Sequence, residues 1–306
     1  MVRNKFENRD KPLLFHKSVL IEEVLAYLNP QPHKIYIDAT FGSGGHTRAI
    51  LEKEPTCHVI GIDWDRSSLD RYAPLITEKF GDRFTPVWGN FALLYKLLKK
   101  IDVRQVDGIL ADFGTSQMQI ADQPGFSLYR DAPLDMRMST AHYKTTAAEL
   151  LNTASEEKLL RIFSELGEER FSRKIARAIV KERGHKRFKT TQQLANFIKG
   201  IVPYKREAKI HPATRVFQAL RIYINQELDN IRSFLKGAIP PLAPQGRIVC
   251  ISFHSLEDRL VKQFFIDQAL AGKLEVLTKK VVVPTREEIV TNPSSRSAKL
   301  RAAVKI

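Results

Sequence analysis

Asp38-Ala39-Thr40-Phe41-Gly42-Ser43-Gly44-Gly45-His46-Thr47 follows the apolar run Ile35-Tyr36-Ile37 and precedes a helix expected from near Gly45 to about Glu54. An apolar, β-favouring run that empties into a glycine-rich turn and then a helix is the opening unit of a nucleotide-binding α/β sheet. Glycine is what lets the backbone come close to a ligand there. Spacing separates this turn from a dinucleotide fingerprint. Glycines at 42, 44 and 45 do not make G-x-G-x-x-G, and Asp38 stands four positions before the first of them. Taken alone, such a pattern also fits a purely structural turn with a helix cap.

Outward from the turn, a second strand is expected over Cys57 to Asp63. Asp63 lies 21 residues after Gly42, close to the ~20 at which an acid at the end of the next strand reaches the ribose hydroxyls of a nucleoside. A helix over Leu69 to Phe80, a strand over Arg83 to Gly89 with Pro86 marking an edge or bulge, and a helix over Phe91 to Lys100 follow. The strand Val106 to Ala111 then ends at Asp112-Phe113-Gly114. Ligands bind outside the carboxyl ends of such strands, so Asp38, Asp63 and Asp112 are expected to line one crevice. After Gln119 the alternation stops. Helices are expected at Ser155 to Leu166, Glu168 to Arg183 and Thr191 to Ile201, behind a loop whose Leu134, Met136 and Met138 need burial. A long helix from about Pro212 to Phe234, a strand over Gly246 to Phe253 and a closing strand over Ala302 to Ile306 complete the chain, and a helix over His16 to Leu28 precedes the first strand. The expected layout is a sheet domain made of 1–119 and 212–306, interrupted by a helical subdomain over 120–211.

The chain has 306 residues, 43% of them hydrophobic, enough for a full core. Its first seventeen residues contain no apolar segment of the kind that directs export, and no uncharged run approaches a membrane span. A soluble, cytoplasmic protein is therefore expected. Two cysteines give neither a disulfide framework nor zinc spacing, and no metal site is expected. The formal charge of +15 is concentrated: from Arg170 to Arg221 there are fifteen Lys or Arg against Glu182 and Glu207 alone. A solvated face normally mixes signs, whereas a nearly single-sign segment is the footprint of a polyanion partner. Without an aromatic-anchored amphipathic helix, nucleic acid is favoured over an anionic membrane.

The D-x-x-x-G-x-G pattern of Asp38, Gly42 and Gly44 resembles the first motif of Rossmann-like S-adenosylmethionine (SAM) methyltransferases, in which the turn packs against the methionine and ribose of the cofactor. Further motifs narrow the resemblance to the small-subunit ribosomal RNA cytosine N4-methyltransferases of the RsmH (MraW) type. They are His16 to Leu20, Gly61-Ile62-Asp63, Asp112 to Gln119, Gly125-Phe126-Ser127, Pro133 to Met138, His211 to Tyr223, Ile251 to Arg259 and Arg296 to Arg301. The resemblance covers nearly the whole chain. It implies a Rossmann-like class I α/β fold with an inserted helical domain, SAM as cofactor, and methylation of a cytidine N4 amine in the decoding region of 16S rRNA. It implies cofactor contacts at Gly44, Gly45, His46, Asp63, Phe91, Asp112 and Gln119. The sequence departs from the family pattern at Phe113, Thr115, Gln117 and Met118, where Leu, Val, Ser and Pro are common, and at Ala132, where glycine is usual.

The exocyclic amine of cytosine is a poor nucleophile because its lone pair is delocalised into the ring, so an acceptor must orient it. Asp112 and Asp135 are the candidates, with Phe126 to stack a flipped-out base. Equally open is that Asp112 only holds SAM and a backbone carbonyl orients the amine. Arg137, Arg215, Arg221 and His254 are candidate RNA contacts. His254-Ser255 followed by Glu257-Asp258 also fits a helix start, with Ser255 as the cap and Asp258 closing it. Other classes fit less well. A nicotinamide oxidoreductase would carry the three-glycine fingerprint, a non-catalytic RNA-binding factor leaves three converging acids unexplained, and a DNA amino-methyltransferase would carry a Pro-Pro-aromatic motif after the fourth strand. Monomer and homodimer both remain open, as do free rRNA and the assembled small subunit as substrate.

Overall fold

The computed structural model describes residues 18–114, 125–140, 143–203 and 211–306. Of the expected site residues, Gln119 lies outside these, as does most of the loop with the Thr115, Gln117 and Met118 departures. From the amino terminus the chain runs α1 (Ile21–Leu28), β1 (Ile35–Asp38), α2 (Gly45–Lys53), β2 (His58–Asp63), α3 (Arg66–Phe80), β3 (Phe84–Trp88), α4 (Leu94–Lys100) and β4 (Val106–Asp112). A helical region follows: α5 (Ala147–Thr153), α6 (Glu156–Arg161) with a π-helical turn over Ile162–Leu166, α7 (Ser172–Glu182), α8 (Thr191–Ile201) and α9 (Thr214–Ile224). The chain ends with α10 (Glu227–Ala238), β5 (Leu242–Ser252), α11 (Ser255–Leu270), β6 (Leu274–Val276), α12 (Arg286–Thr291) and β7 (Lys299–Lys305).

Among the described residues, seven strands form one sheet in the order β3-β2-β1-β4-β5-β7-β6. β1 pairs in parallel with β2 and β4, and β7 runs antiparallel between β5 and β6. The order reverses between β1 and β4, which opens a crevice at their carboxyl ends. Pro86 sits in β3, an edge strand, where its missing amide costs least. β1 is buried on both faces: Tyr36 joins Leu28, Ile50 and Ile76 on one side, while Ile37 joins Leu98, Ile231 and Phe234 on the other. This double burial is why β1 reads as a continuous apolar run.

A separate apolar cluster holds the helical region together. It includes Leu134 and Met136 of the expected loop, Phe163, Ile175, Leu194 and, from α9, Val216 and Leu220. The single long helix expected from Pro212 to Phe234 is two helices. Asn225 and Gln226 break it, Gln226 in the left-handed region at φ 50°. Asn225 is fully buried and its amide group clamps the neighbouring loop, donating to Met136 O at 2.8 Å and accepting from Met138 N at 2.7 Å. The break separates two destinations. α9 packs in the helical cluster, whereas Ile231, Phe234 and Leu235 of α10 pack under the sheet. α5 was not anticipated, although Thr146 and Glu149 form a reciprocal capping box at its start. Among the described residues, no helix is long and apolar enough to cross a membrane.

Candidate active site

The glycine turn is tied to both neighbouring strands. Ala39 N donates to Leu110 O at 2.8 Å and Phe41 N to Ile62 O at 2.9 Å. Gly42 and Gly44 adopt φ 54° and 79°, a left-handed backbone that only glycine takes cheaply. A Cβ on Gly44 would also stand 3.0 Å from the Phe41 ring. The turn therefore presents bare backbone and leads directly into α2, with Gly45 as its first residue.

Asp38 does not line the crevice. It is fully buried, one carboxylate oxygen accepting from Thr47 Oγ1 at 2.8 Å and the other from Thr40 N at 3.2 Å. Burial holds its pKa above the usual carboxylate range. Its place is beneath the turn, fixing the turn's shape. Asp63 meets the turn from β2, accepting from Gly42 N at 2.7 Å and from Asp65 N at 2.8 Å. Burial pushes its pKa up to about 7, with the two amides acting in the opposite direction.

Asp112 ends β4 on the far side of the turn, and its backbone amide donates to Thr40 Oγ1 at 2.7 Å. Its side chain is 23% exposed, yet Oδ1 is buried and finds no hydrogen-bond partner among the described residues. Burial again raises the pKa to about 7, opposed by the nearby His46. His46 Nδ1 lies 3.9 Å from Asp112 Oδ2, while Nε2 is 2.8 Å from Val19 O. A ring nitrogen facing a carbonyl must carry the proton, so Nε2 is the N–H and His46 is pinned beside Asp112. It does not cap α2, which begins without a side-chain cap.

Phe91 follows β3 and is half-buried, with its ring centroid 5.9 Å from Phe113 and 5.7 Å from Phe234. The unusual Phe113 is thus fully packed in an aromatic cluster that backs the crevice. Phe126 is half-buried in the 125–140 segment.

Several candidate substrate residues are engaged elsewhere. Asp135 is held by Arg137 through contacts of 2.6 and 2.8 Å, and this pairing keeps its pKa below the usual range. A carboxylate held so firmly ionised is a weak base, so Asp135 is not the acceptor the chemistry needs. Arg137 also donates to Tyr143 O and Lys144 O, both at 3.3 Å, and braces its own loop. Arg221 makes two 2.9 Å contacts with Glu227 and is only 19% exposed, a structural ion pair rather than an RNA contact. Arg215 is exposed and donates to Glu168 O at 3.0 Å.

His254, not Ser255, caps α11, and Glu257 rather than Asp258 closes the capping box. Ser255 instead donates to Glu168 Oε2 at 2.7 Å, and Asp258 pairs with Arg301 at 2.6 Å. His254 Nε2 stands 3.2 Å from Glu257 Oε1 but is not aligned to bond it. Burial opposes ionisation of Glu257, yet His254 and Arg221 hold its pKa below the usual range. Glu227, His254 and Glu257 bring ligand atoms within 4.8 Å of one another. Arg221 already neutralises Glu227, so the group reads as a buried ion-pair network behind the crevice.

On the helical region, Arg173, Lys174, Lys181, Lys186, Arg187 and Lys189 are all exposed. Arg183 is the exception in this run: it donates to Leu151 O at 2.9 Å and Ala154 O at 2.6 Å, closing the end of α5.

A sheet ordered 3-2-1-4-5-7-6 with an antiparallel seventh strand, a left-handed glycine turn after β1 and acids ending β2 and β4 defines the Rossmann-like fold class of the SAM methyltransferases. The MraW methylase family model matches residues 13–306, and the chain belongs to that family. Its relatives include proteins named ribosomal RNA small subunit methyltransferase H. The one from Carboxydothermus hydrogenoformans is 46% identical, covering 95% of this chain and 98% of that protein. Those from Syntrophotalea carbinolica, at 45% over 94% and 96%, and Ehrlichia chaffeensis, at 42% over 95% and 100%, are similar along their whole lengths.

Proposed function

We propose that this chain is a cytoplasmic enzyme that transfers the methyl group of SAM to the exocyclic N4 amine of a cytidine in the decoding region of 16S rRNA, within the small ribosomal subunit. The observation that carries the chemistry is Asp112 Oδ1, a buried carboxylate oxygen without a partner among the described residues at the carboxyl end of β4. An orphaned acceptor is costly unless a ligand satisfies it, and an amine hydrogen is the complementary group. The names of the relatives support small-subunit rRNA as the substrate.

The residues present fit the cofactor. The bare turn at Gly42, Gly44 and Gly45 lets backbone approach it, Asp63 at the edge of the turn accepts from ribose hydroxyls, and Phe91 offers an aromatic face to the adenine. Asp38 and His46 hold this frame from below, and Gln119 is assigned a cofactor contact by family pattern. When bound, SAM supplies an electrophilic methyl group on a sulfonium. Asp112, in its ionised form, accepts a hydrogen of the cytosine amine and aligns the nitrogen lone pair, and it is placed to take the proton released. Phe126 stacks on the extruded base. The exposed cations of α7 and the 184–190 loop bind backbone phosphates, and the helical unit is assigned to RNA recognition. Arg215 is the candidate contact on α9.

The test is methyl transfer from labelled SAM to small subunits from cells lacking this protein, with mass mapping of the product. Label on the exocyclic amine of one decoding-region cytidine is expected. Label on another atom, or transfer only to protein-free rRNA, overturns the assignment.

A further inference from the structure

Two sets of contacts join the adenine end of the crevice to the helical unit. The first is aromatic. Trp64, the residue after Asp63, has its ring centroid 6.4 Å from Phe91 and 6.0 Å from Tyr143, the latter edge-on at 80°. The second is polar. Asn90, the residue before Phe91, donates to Asn230 Oδ1 at 3.3 Å, and Asn230 Nδ2 lies 3.0 Å from both the Tyr143 hydroxyl and Asn225 O. Asn225 in turn clamps Met136 and Met138, which flank Arg137.

Trp64 is half-buried and Tyr143 is 9% exposed, so the contact is sheltered rather than a chance meeting of surface rings. Tyr143 belongs to the segment whose Leu134 and Met136 are anchored in the helical cluster. Trp64 and Phe91 belong to the sheet domain, at the ends of β2 and β3. Both links therefore cross from one unit to the other, and both end on residues adjacent to a cofactor candidate.

We infer that Trp64 and Tyr143 form the outer wall of the adenine subsite, with the helical unit completing the cofactor site through Tyr143. This rests on the assignment of SAM to the crevice. An adenine ring held against Phe91 meets Trp64, and any displacement of Trp64 is felt by Tyr143. Through the Asn90–Asn230 bridge the same event reaches Asn225 and the Met136–Met138 loop. Cofactor occupancy thereby sets the order of the 125–140 segment, which carries Phe126 and begins the RNA-binding unit. In this scheme Trp64 contacts the adenine, Tyr143 is a positioning residue that acts through Trp64, and neither touches a reacting atom.

The chain has two tryptophans, Trp64 and Trp88, so a Trp88→Phe background reports Trp64 alone. Full-length protein is titrated with S-adenosylhomocysteine by calorimetry, with Trp64 emission followed in parallel and hydrogen exchange measured over 125–140. Binding is expected to quench Trp64 and slow exchange in that segment. Tyr143→Leu is expected to shift Trp64 emission to the red, weaken binding about tenfold, the scale of a lost aromatic pair, and leave the segment's exchange insensitive to ligand. Tyr143→Phe keeps the ring and loses the Asn230 bond, so it should fall between Tyr143→Leu and the parent, and it decides the matter if Tyr143→Leu fails to fold. Parent-like affinity in both variants, with Trp64 emission unmoved by ligand, overturns the inference while leaving the cofactor assignment intact. No binding heat in the parent overturns the cofactor assignment itself, and this inference with it.

Discussion

The Gly42 amide donates to Asp63 Oδ2 at 2.7 Å, so the turn after β1 and the acid after β2 are a single built unit. The bond does two things. It spends a backbone donor on a carboxylate whose burial lifts its pKa to about 7, and it holds that carboxylate at the edge of the bare turn. Asp63→Asn tests the arrangement. Loss of one charge-assisted acceptor should weaken S-adenosylhomocysteine binding roughly tenfold to a hundredfold by calorimetry. Stability should change differently. Unfolded, Asp63 titrates near its ordinary value of 3.8, and folded near 7, so its contribution to stability is full below about pH 4 and lost as pH rises through 7. Cofactor-free Asp63→Asn should therefore show a smaller fall in Tm between pH 5 and 8 than the parent.

Asp112 sets a second pH dependence with the opposite consequence. In the proposed reaction its ionised form accepts the amine hydrogen, and burial pushes its pKa in the free protein up to about 7. kcat/KM for methyl transfer should rise with pH up to about 7 and level off above it. Asp112→Asn should lower kcat by about 10²–10⁴-fold, the usual span of a lost proton acceptor, and flatten that limb. A variant with parent turnover and the same pH limb would remove Asp112 from the reaction.

Much of this was legible in the sequence because it follows from local chemistry. The continuous apolar β1, the glycine turn and the acids after β2 and β4 are short-range patterns, and Ser155 and Thr190 cap helices as their types predict, whereas Asp65 caps α3 at Arg66, ahead of the expected start at Leu69. What sequence could not supply was the partner of each polar side chain. Arg137, Arg221 and Arg183 look alike as members of a basic chain, yet one braces a loop, one neutralises a buried Glu227 and one caps α5. Asp38, Asp63 and Asp112 look equivalent too, and only the fold turns Asp38 under the turn. The Asn225 break was hidden because helical periodicity runs through it, and its cause is a bond to Met136, 89 residues away.

The buried pair Arg221–Glu227 gives a stability prediction. Arg221→Met leaves Glu227, 9% exposed, without its cation. Breaking such a pair costs about 3–5 kcal/mol, a fall in Tm of roughly 5–8 °C for a chain of this size. Adding Glu227→Leu should recover most of the loss, because the unpaired buried charge is then gone. Scanning calorimetry on the two variants separates this from an RNA-contact role, in which Arg221→Met would leave Tm unchanged and weaken RNA binding.

RNA affinity should instead follow the exposed cations. Lys186, Arg187 and Lys189 lie on the loop between α7 and α8, all exposed, and Phe188 between them is buried in the helical cluster. Phe188 anchors the loop, so the three cations project from a fixed base rather than from a loose strand. Its backbone amide also donates to Asn152 Oδ1 at 3.0 Å. Replacing all three by alanine should therefore spare the fold and remove up to three phosphate contacts. Each contact contributes about −0.7 to the slope of log affinity against log salt on single-stranded RNA. The triple variant should flatten that slope by roughly 2 and bind a small-subunit rRNA fragment more weakly at low salt than at high salt relative to the parent. A slope equal to the parent's would move the phosphate contacts off this loop and onto α7, where Arg173, Lys174 and Lys181 offer the next exposed row.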